Sequence, residues 1–363
     1  MDFSGIRRVF DLGSRLENPI NLSIGQPDFD VAEELKSVAA GAMSSGLNKY
    51  APTAGLPHFR EALRKHIDAR YGYEPEDLLV TSGVSGGLAL AMLALLGPGD
   101  QVLVPDPYFV SYKQLVHMAG AEPVFYDTYP DWRPKLGDMA RLVTERTRVL
   151  LVNSPGNPTG AVLGSGDMQA LAEFAAAHEL VVISDEIYDD FFYDSEALPS
   201  FATLYPRTVV LNGFSKSQAM TGWRVGWAAG PREIVTAMAK IQQFTFVTVP
   251  PPFQMAAAHA IAGGGPPAAG HLAEYRARRD LICELLSPAF EFARPAGAFY
   301  AFPKAPWGTA EEFVRRAIES RVLAIPGSVF SERDTHFRLS FAASESTIRE
   351  GAAILCDLAS RGG

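Results

Sequence analysis

Short apolar runs alternate with amphipathic helical patterns over most of the chain. The sequence predicts β runs at 78–82, 101–104, 122–126, 148–153, 180–184, 208–212 and 225–229, and helical patterns such as 57–70, 88–96 and 167–178. Strands that alternate with helices are typical of a doubly wound sheet, because each crossover helix returns the chain to a parallel strand. The pattern therefore predicts an α/β fold with a mostly parallel seven-stranded sheet.

A glycine- and proline-rich stretch at 263–267 interrupts this alternation. Beyond it, 272–286 has the pattern of a long charged helix, and 299–302 and 337–340 have the apolar character of strands. Strands and helices that no longer alternate are typical of an α+β unit. We therefore expect a smaller α+β domain after the large parallel sheet.

Lys216 stands in the polar turn 213–224, directly after the apolar run 208–212. Glycine, serine and threonine around the lysine predict a tight turn at the C-terminal end of a strand, where open α/β sheets place ligands. Burial there lowers the pKa of an amine and makes it a nucleophile towards a carbonyl, which is the chemistry of a Schiff base. Most lysines are simply exposed to solvent at the protein surface, so the hypothesis of a Schiff-base lysine depends on the other motifs described below.

The segment 153–160, Asn-Ser-Pro-Gly-Asn-Pro-Thr-Gly, follows the apolar run 148–152. Its prolines fix φ and its glycines permit unusual backbone conformations, so the amides of Asn153 and Asn157 are held rigidly at the edge of the sheet. An ordinary turn between a strand and a helix is the structural alternative.

The apolar run 180–184 ends in two acids, Asp185 and Glu186. A carboxylate at the end of an apolar strand must find a partner or become protonated, and a pyridinium N–H is one such partner. Glu186 is alternatively the solvated member of the pair, and capping of a helix is the structural alternative for either acid.

Small residues at 82–87 precede the apolar helical pattern 88–96. They let backbone N–H groups at a helix N-terminus approach an anion, which suits a phosphate. The segment is neither a Walker A loop nor a dinucleotide fingerprint, which disfavours a nucleoside triphosphate or NAD as the ligand.

A lysine amine, a partner for a pyridinium, an amide and a phosphate site are the groups that bind pyridoxal phosphate. With these motifs the chain resembles the class I/II aminotransferases of the aspartate aminotransferase fold family, in their bacterial-type branch, from 21–29 to 336–341. The resemblance implies a fold-type-I architecture with a large cofactor-binding domain at 36–265. It also implies that residues 1–35 complete the small domain at 266–363.

The resemblance implies roles around the cofactor ring. Lys216 would form the Schiff base and move the proton between Cα and C4′. Asp185 would keep the pyridine nitrogen protonated, so that the ring accepts electrons. Tyr188 and Asn157 would hydrogen-bond the phenolic oxygen, and Phe109 would stack on the ring.

The resemblance also implies how the phosphate and the substrate are bound. Arg224 would bind the phosphate with its bidentate fork. The matching phosphate-binding turn consists of Gly83, Val84 and Ser85. Arg338, assisted by Gly25 and Asn157, would bind the α-carboxylate of the substrate. Tyr50 would reach the phosphate of the neighbouring subunit, so the active unit would be a homodimer with shared sites.

Two positions depart from the family pattern. Many relatives carry serine or threonine where Gly213 stands, as a further phosphate ligand. Some aspartate-specific relatives carry a lysine where Ser85 stands, and its absence disfavours a dicarboxylate-specific enzyme. The residues expected near the side-chain pocket favour a neutral or aromatic substrate; they are Ile24, Phe29, Tyr112, Phe246, Thr248 and Phe330.

Composition and charge limit the kinds of partner that the protein can bind. The 363 residues carry a net charge of -9 without a basic stripe, which disfavours nucleic acid. Cys283, Cys356 and the scattered histidines indicate neither a disulfide framework nor a metal site. The start of the chain lacks a secretory pattern, and its longest apolar run is too short to cross a bilayer. We therefore expect a soluble cytoplasmic enzyme without a membrane partner.

These expectations converge on an aminotransferase that moves an amino group from an L-amino acid to a 2-oxo acid by a ping-pong mechanism. A carbon–sulfur β-lyase, or another α-carbon eliminase, is the alternative on the same fold. The two differ in whether C4′ is protonated or a β substituent leaves. A cofactor-binding regulatory module is a remote alternative, because no helix-turn-helix pattern precedes residue 20.

Overall fold

A computed structural model of the chain describes residues 5–14, 16–194, 199–263 and 267–362. Its strands are β1 Ile20–Asn21, β2 Asp77–Thr81, β3 Gln101–Asp106, β4 Glu122–Asp127, β5 Thr147–Asn153, β6 Val181–Asp185, β7 Thr208–Gly213, β8 Gly226–Gly230, β9 Tyr300–Ala301, β10 Val322–Leu323, β11 Ile325–Pro326 and β12 Phe337–Ser340. Each predicted β run coincides with a strand to within one or two residues.

A seven-stranded sheet with the order β2-β8-β7-β6-β5-β3-β4 forms the centre of the molecule. Five adjacent strands, β7, β6, β5, β3 and β4, are parallel to one another. Strand β8 runs antiparallel to both of its neighbours, β7 and β2. The side chains of β5 and β6 are almost fully buried, as in a parallel sheet that is covered on both faces. The prediction of a mostly parallel seven-stranded α/β sheet is confirmed.

Helices cover the two faces of this sheet and surround the smaller sheets. They are α1 Gly5–Gly13, α2 Glu33–Ser44, α3 Pro57–Tyr71, α4 Gly83–Leu95, α5 Ser111–Met118, α6 Leu136–Leu142, α7 Ser165–Ala177, α8 Phe214–Ser217, α9 Arg232–Thr245, α10 Pro251–Ala262, α11 Pro267–Leu286, α12 Ala310–Glu319 and α13 Glu345–Arg361. None of them, within the described ranges, combines the length and apolarity needed to cross a membrane.

Helix α4 begins at Gly83, earlier than its apolar pattern at 88–96 predicts. The first turns contain glycine and serine, which give no apolar periodicity. They are small because the helix lies directly on the sheet: a Cβ on Gly87 would stand 3.0 Å from Leu211 of β7. The close approach therefore places the start of α4 at the C-terminal edge of the sheet.

Two smaller sheets connect the ends of the chain. Strand β1 pairs in parallel with β10, with Ile20 opposite Val322, and the order of the other sheet is β11-β12-β9. Helix α13 packs on β1 so closely that a Cβ on Gly351 would stand 2.7 Å from Leu22. The segment before residue 36 therefore packs with residues from the last third of the chain. The predicted boundary at 265/266 lies outside the described residues.

Candidate active site

A cavity of about 170 Å³ opens at the C-terminal ends of β5, β6 and β7. It is lined by Gly25, Val84, Ser85, Phe109, Tyr112, Asn153, Asn157, Asp185, Ile187, Tyr188, Ser215, Lys216, Thr221, Arg224, Tyr300 and Arg338. The structure thus brings together ten of the twelve predicted site residues. Of the other two, Gly83 lies against the guanidinium of Arg224, and Tyr50 lies outside the cavity with 87% of its surface exposed.

Lys216 enters the cavity from α8, the single helical turn that follows β7 directly. Its Nζ donates a hydrogen bond to the carbonyl of Gly25 at 2.7 Å. Burial, together with the positive charges of Arg338 and Arg224, lowers the pKa of Lys216 to about 8. An appreciable fraction of the amine is therefore neutral near neutral pH, as a nucleophile requires.

Gly213, at the start of the turn that leads to Lys216, leaves no room for a side chain. Its φ of 170° is extended backbone, so conformation alone does not require glycine. A Cβ there would stand 2.7 Å from the Cα of Gly226 in β8. A Cβ on Gly226 would in turn stand 2.8 Å from the carbonyl carbon of Gly83. These three glycines let β7, β8 and the start of α4 approach at backbone distance.

Asp185 is the last residue of β6 and is 3% exposed. It accepts a hydrogen bond from the hydroxyl of Tyr112 at 2.7 Å. Burial nevertheless raises the pKa of Asp185 to about 6. A carboxylate in such a place is stabilised by a cationic donor, such as a pyridinium N–H. Tyr112 is itself buried, and it also lines the cavity.

Glu186 is buried, and its interpretation as the solvated acid is wrong. Its Oε1 accepts hydrogen bonds from Ser184 at 2.8 Å, Ser200 at 3.0 Å and the N–H of Phe201 at 3.0 Å. Burial raises the pKa of Glu186 to about 7. The sequence does not show this burial, because the segment that covers the acid is the later one around Ser200.

Arg224 lies beside the N-terminus of α4. Gly83 has a φ of +63°, and a Cβ on it would stand 2.6 Å from Nη2 of Arg224. The Arg224 guanidinium donates to the carbonyls of Thr221 at 2.8 Å and Ser82 at 3.3 Å, which hold it beside the helix N-terminus. Free N–H groups of a first helical turn together with an arginine suit a phosphate.

Arg338 of β12 is a buried cation that also lines the cavity. It donates to Asn157 Oδ1 at 3.0 Å and to the carbonyl of Ser23 at 2.9 Å. The rings of Tyr300 and Phe330 lie 4.5 and 4.6 Å from its Cζ. Its Nε has no hydrogen-bond partner among the described residues. A buried guanidinium with a free donor is suited to an incoming carboxylate.

Tyr300 is a site residue that sequence reasoning missed. Its hydroxyl lies 2.8 Å from that of Tyr188, which also accepts a hydrogen bond from Asn157 Nδ2 at 3.4 Å. A Cβ on Gly25 would stand 2.8 Å from the same Tyr300 hydroxyl. The strand pattern at 299–302 predicts β9, but a strand pattern does not show which distant segment its side chains meet.

Most residues expected near the side-chain pocket do not line the cavity. Phe29 stacks on His271 with ring centroids 4.3 Å apart, and Thr248 bonds the carbonyl of Pro52. Phe330 packs beneath Arg338 rather than in the cavity wall. Of the six residues named for that pocket, only Tyr112 is part of the lining; the others are Ile24, Phe29, Phe246, Thr248 and Phe330.

Pyridoxal phosphate carries an aldehyde, a ring nitrogen and a phosphate, and the cavity offers a group suited to each. Lys216 is an amine with a lowered pKa, and Asp185 is a buried acid with a raised pKa. Gly83 leaves room for Arg224 at a helix N-terminus, and Arg338 has a donor free for a carboxylate. The fold and the site thus define an enzyme of the pyridoxal-phosphate class that acts on amino acids.

Comparison with known proteins gives the family. Residues 17–355 match the family described as aminotransferase class I and II. An aspartate aminotransferase of Pyrococcus abyssi is 38% identical, over 96% of this chain and 93% of that protein. An aromatic-amino-acid aminotransferase of Thermococcus litoralis is 36% identical over the same shares. The chain belongs to the class I and II aminotransferases, which depend on pyridoxal phosphate.

A solved structure agrees with this assignment. The aspartate aminotransferase from Thermus thermophilus with maleate superposes with a TM-score of 0.93 at 35% identity. The match covers 99% of this chain and 97% of that chain. The predicted family, fold, cofactor and aminotransferase activity are therefore confirmed.

Proposed function

We propose that this aminotransferase uses Lys216 as its reactive amine and Arg338 as its carboxylate site, on amino acids with a neutral or aromatic side chain. The observation that carries the proposal is the arrangement of the cavity. Lys216, with a lowered pKa, shares the cavity with the buried acid Asp185 and the buried cation Arg338, whose Nε has no partner among the described residues. An α-amino acid presents an amine and a carboxylate to such a site at the same time.

Bound pyridoxal phosphate supplies an electron sink for the electron pair that remains when the substrate Cα loses its proton. Asp185 would hold a proton on the ring nitrogen, which would strengthen that sink. Lys216 Nζ would take the proton from Cα and return it at C4′, as a general base and then a general acid. Its lowered pKa suits both steps, because a group that titrates near the working pH can accept and release a proton.

Five side chains and the first turn of α4 would hold the reactants in place for these proton transfers. Arg224 and the first turn of α4 would bind the phosphate, and Phe109 would stack on the ring. Tyr188 and Asn157 would donate to the phenolic oxygen. Arg338 receives the α-carboxylate and orients the Cα–H bond towards Lys216. Correct orientation is a large part of the rate enhancement in such a site.

The lining of the cavity supports the substrate class. The cations that line it are Lys216, Arg224 and Arg338. They serve proton transfer, the phosphate and the α-carboxylate, so none of them is left for a second carboxylate of the substrate. Ser85 stands where a further cation would bind a distal carboxylate. Phe109, Tyr112 and Ile187 contribute apolar surface, so a second carboxylate would be desolvated without a partner.

We further propose a homodimer in which Tyr50 reaches the phosphate site of the neighbouring subunit. Tyr50 is 87% exposed and does not line its own cavity. Phe244 and Phe246 are also exposed large apolar residues. They lie close to the Tyr50 loop, since the Thr248 hydroxyl donates a hydrogen bond to the carbonyl of Pro52. Apolar surface of this kind favours a partner subunit. The described pairings also support a small domain of 1–35 with 266–363 beside a large domain of 36–265.

A single-turnover screen of the purified holoenzyme tests the reaction and the substrate class. Loss of the cofactor absorbance should be fastest with aromatic and neutral amino acids. Aspartate and glutamate should give kcat/KM values lower by on the order of tenfold, because an unpaired buried carboxylate costs about 1–3 kcal/mol. A preference for aspartate would contradict the proposed substrate class while leaving the reaction intact.

Borohydride trapping tests the role of Lys216 separately. Wild type should form a permanent covalent link between cofactor and protein, and Lys216→Ala should form none and lose essentially all turnover. Lys240→Ala, on the exposed side of α9, is the matched control and should behave as wild type. Retained trapping in Lys216→Ala would contradict the assignment.

A further inference from the structure

Two segments that carry proposed active-site residues leave the sheet side by side. Strands β6 and β7 are parallel neighbours whose register ends with Asp185 opposite Leu211. Among the described residues, the bond from the N–H of Glu186 to the carbonyl of Leu211, at 2.9 Å, is the last backbone bond between them. Beyond it, one segment presents Tyr188 and the other presents Lys216. Past that point, within the described ranges, side-chain contacts join the two segments.

One hydroxyl connects the two segments, and it comes from a third element. Tyr71 is the last residue of α3. Its hydroxyl accepts a hydrogen bond from Asn212 Nδ2 at 3.3 Å and donates one to Asp189 Oδ2. Asp189 directly follows Tyr188. The Tyr71 hydroxyl therefore joins the strand end before the lysine to the residue after Tyr188.

Asn212 passes this contact on to the turn that contains the lysine. Its side chain is 3% exposed and uses both of its polar atoms. Oδ1 accepts from the N–H of Gly213 at 2.6 Å, while Nδ2 donates to Tyr71. Because Gly213 begins the turn into α8, the amide of Asn212 fixes where that turn starts. Loss of the Tyr71 hydroxyl would leave Nδ2 without this acceptor and free the amide to rotate.

The Tyr71 ring is itself held in place, so its hydroxyl has a defined position. The ring lies 6.4 Å from the ring of Trp227 in β8 and 6.2 Å from that of His66. Arg70, the preceding residue, pairs with Asp189 at 3.4 Å and also with Asp190. The end of α3 thus contacts two consecutive acids of one segment and the amide of the other.

We propose that Tyr71 is a positioning residue for transamination, whose hydroxyl fixes Tyr188 and Lys216 relative to each other. The inference rests on the proposed roles of those two residues. Tyr71 does not line the cavity, so it acts through Asn212 and Asp189 rather than by contact with the reactants. It extends the site to α3, an element that none of the cavity-lining residues belongs to.

Tyr71→Phe in the holoenzyme removes the hydroxyl and keeps the ring contacts. We expect kcat to fall by on the order of tenfold, because small displacements of reacting groups have large effects on rate. KM for the amino acid should change little, since Arg338 is untouched. The pH midpoint of the holoenzyme's visible absorbance should move upward. A donor to the phenolic oxygen stabilises the more negative form, and a loosened Tyr188 donates less well.

Tyr205→Phe is the matched control for a general loss of stability. The Tyr205 hydroxyl is also buried and donates to the carbonyl of Leu180 at 2.8 Å, at the other end of β6. Both variants should lower the thermal midpoint, and only Tyr71→Phe should change kcat and the spectral midpoint. Equal losses of kcat in the two variants would overturn the inference.

A double variant shows whether Tyr71 acts through Asn212. If it does, Tyr71→Phe combined with Asn212→Ala should be no slower than the slower single variant, because coupled residues do not act additively. Losses that multiply, or a wild-type kcat and spectral midpoint in Tyr71→Phe, would overturn the inference.

Borohydride trapping distinguishes a failure of the proposed function from a failure of the role proposed for Tyr71. Failure to trap the wild type contradicts the proposed function, whereas normal trapping with an unaffected Tyr71→Phe contradicts only the role of Tyr71.

Discussion

Lys216 and Asp185 respond to burial in opposite directions, for one physical reason. Burial disfavours the charged form of each group, so the pKa of the amine falls to about 8 and the pKa of the acid rises to about 6. Each group would be more stable beside a countercharge or as a covalent partner. The cavity therefore binds best a ligand that brings a ring cation for the acid and an aldehyde for the amine.

The lowered pKa of Lys216 predicts a pH-dependent stability of the apoenzyme. Below pH 8 the folded chain holds a buried ammonium, which destabilises it relative to the unfolded chain. Between about pH 8 and the ordinary value of 10.5 the unfolded chain binds more protons, so this destabilisation is progressively relieved. Lys216→Met apoenzyme should thus be more stable than wild type at pH 7, by on the order of 2–3 kcal/mol.

Denaturant unfolding of the apoenzymes from pH 7 to pH 10 measures this difference. The advantage of Lys216→Met should shrink as the pH rises. Lys240→Met, at an exposed position, should follow wild type throughout. A difference that is independent of pH would contradict the burial of a charged amine.

Arg338 supplies a second prediction at this scale. Arg338→Lys keeps the charge and loses the planar fork that meets a carboxylate with two bonds. Affinity for the amino acid should fall by about 1.5–3 kcal/mol, while retention of the cofactor should barely change. Titration of the holoenzyme with a substrate analogue measures the affinity. Arg349→Lys, in an exposed pair with Glu345, is the control. Equal affinities for Arg338→Lys and wild type would place the carboxylate elsewhere.

The elements around the site depend on backbone contacts that only glycine permits. Strand β7, strand β8 and the start of α4 meet at Gly213, Gly226 and Gly83. This contact brings the turn with Lys216 and the anion site at Arg224 to the same end of the sheet. The close approach of β8 leaves no room for a side chain at position 213.

Gly213→Ser should therefore destabilise the protein rather than restore a phosphate ligand. The new Cβ would stand 2.7 Å from one backbone atom and 2.8 Å from another, neither of which can move aside cheaply. Overpacking of this kind costs about 1–3 kcal/mol. Gly222→Ser, with nothing within 4 Å of its Cβ, is the control. Denaturant midpoints compare the two, and equal stability would contradict the close packing.

At the scale of the whole molecule, the site is assembled from distant parts of the chain. Lys216 donates to Gly25 across 191 positions of sequence, and Arg338 donates to Asn157 across 181. Strand β1 holds the Gly25 segment through its pairing with β10. The carbonyl that accepts the Lys216 hydrogen bond is therefore positioned by the pairing of two segments that are far apart in sequence.

A mixed dimer tests whether Tyr50 acts across subunits. One subunit carries Lys216→Ala and the other carries Tyr50→Phe. If Tyr50 acts across the interface, the site with the native lysine receives a native Tyr50 and retains cofactor as wild type does, while the other site has both lesions. If Tyr50 acts within its own subunit, the site with the native lysine has the Tyr50→Phe lesion. Cofactor retention at the lysine-containing sites of the isolated heterodimer distinguishes the two.

The homodimer of Tyr50→Phe sets the scale for that experiment. Loss of a hydrogen bond to a charged phosphate should weaken retention of the cofactor on the order of tenfold or more. Carboxylate recognition by Arg338 should be unchanged. Retention in the heterodimer equal to that of the Tyr50→Phe homodimer would contradict the shared site.

The sequence by itself determined the strands, their alternation with helices and the polar turns that carry Lys216, Asp185 and Asn157. These signals are local: apolar runs predict buried strands, and glycine, proline and asparagine predict the turns where they end. Parallel strands then bring their C-terminal ends to one edge without further information.

Only the tertiary structure decided the burial of Glu186, the contact of Tyr112 with Asp185, and the positions of Tyr300 and Tyr71. It also showed that most residues expected near the side-chain pocket lie elsewhere. Each of these facts depends on which distant segment packs against which, as Tyr188 and Tyr300 meet across 112 positions. Periodicity describes the face that a segment buries, whereas the identity of its neighbour is fixed only when the whole chain has packed.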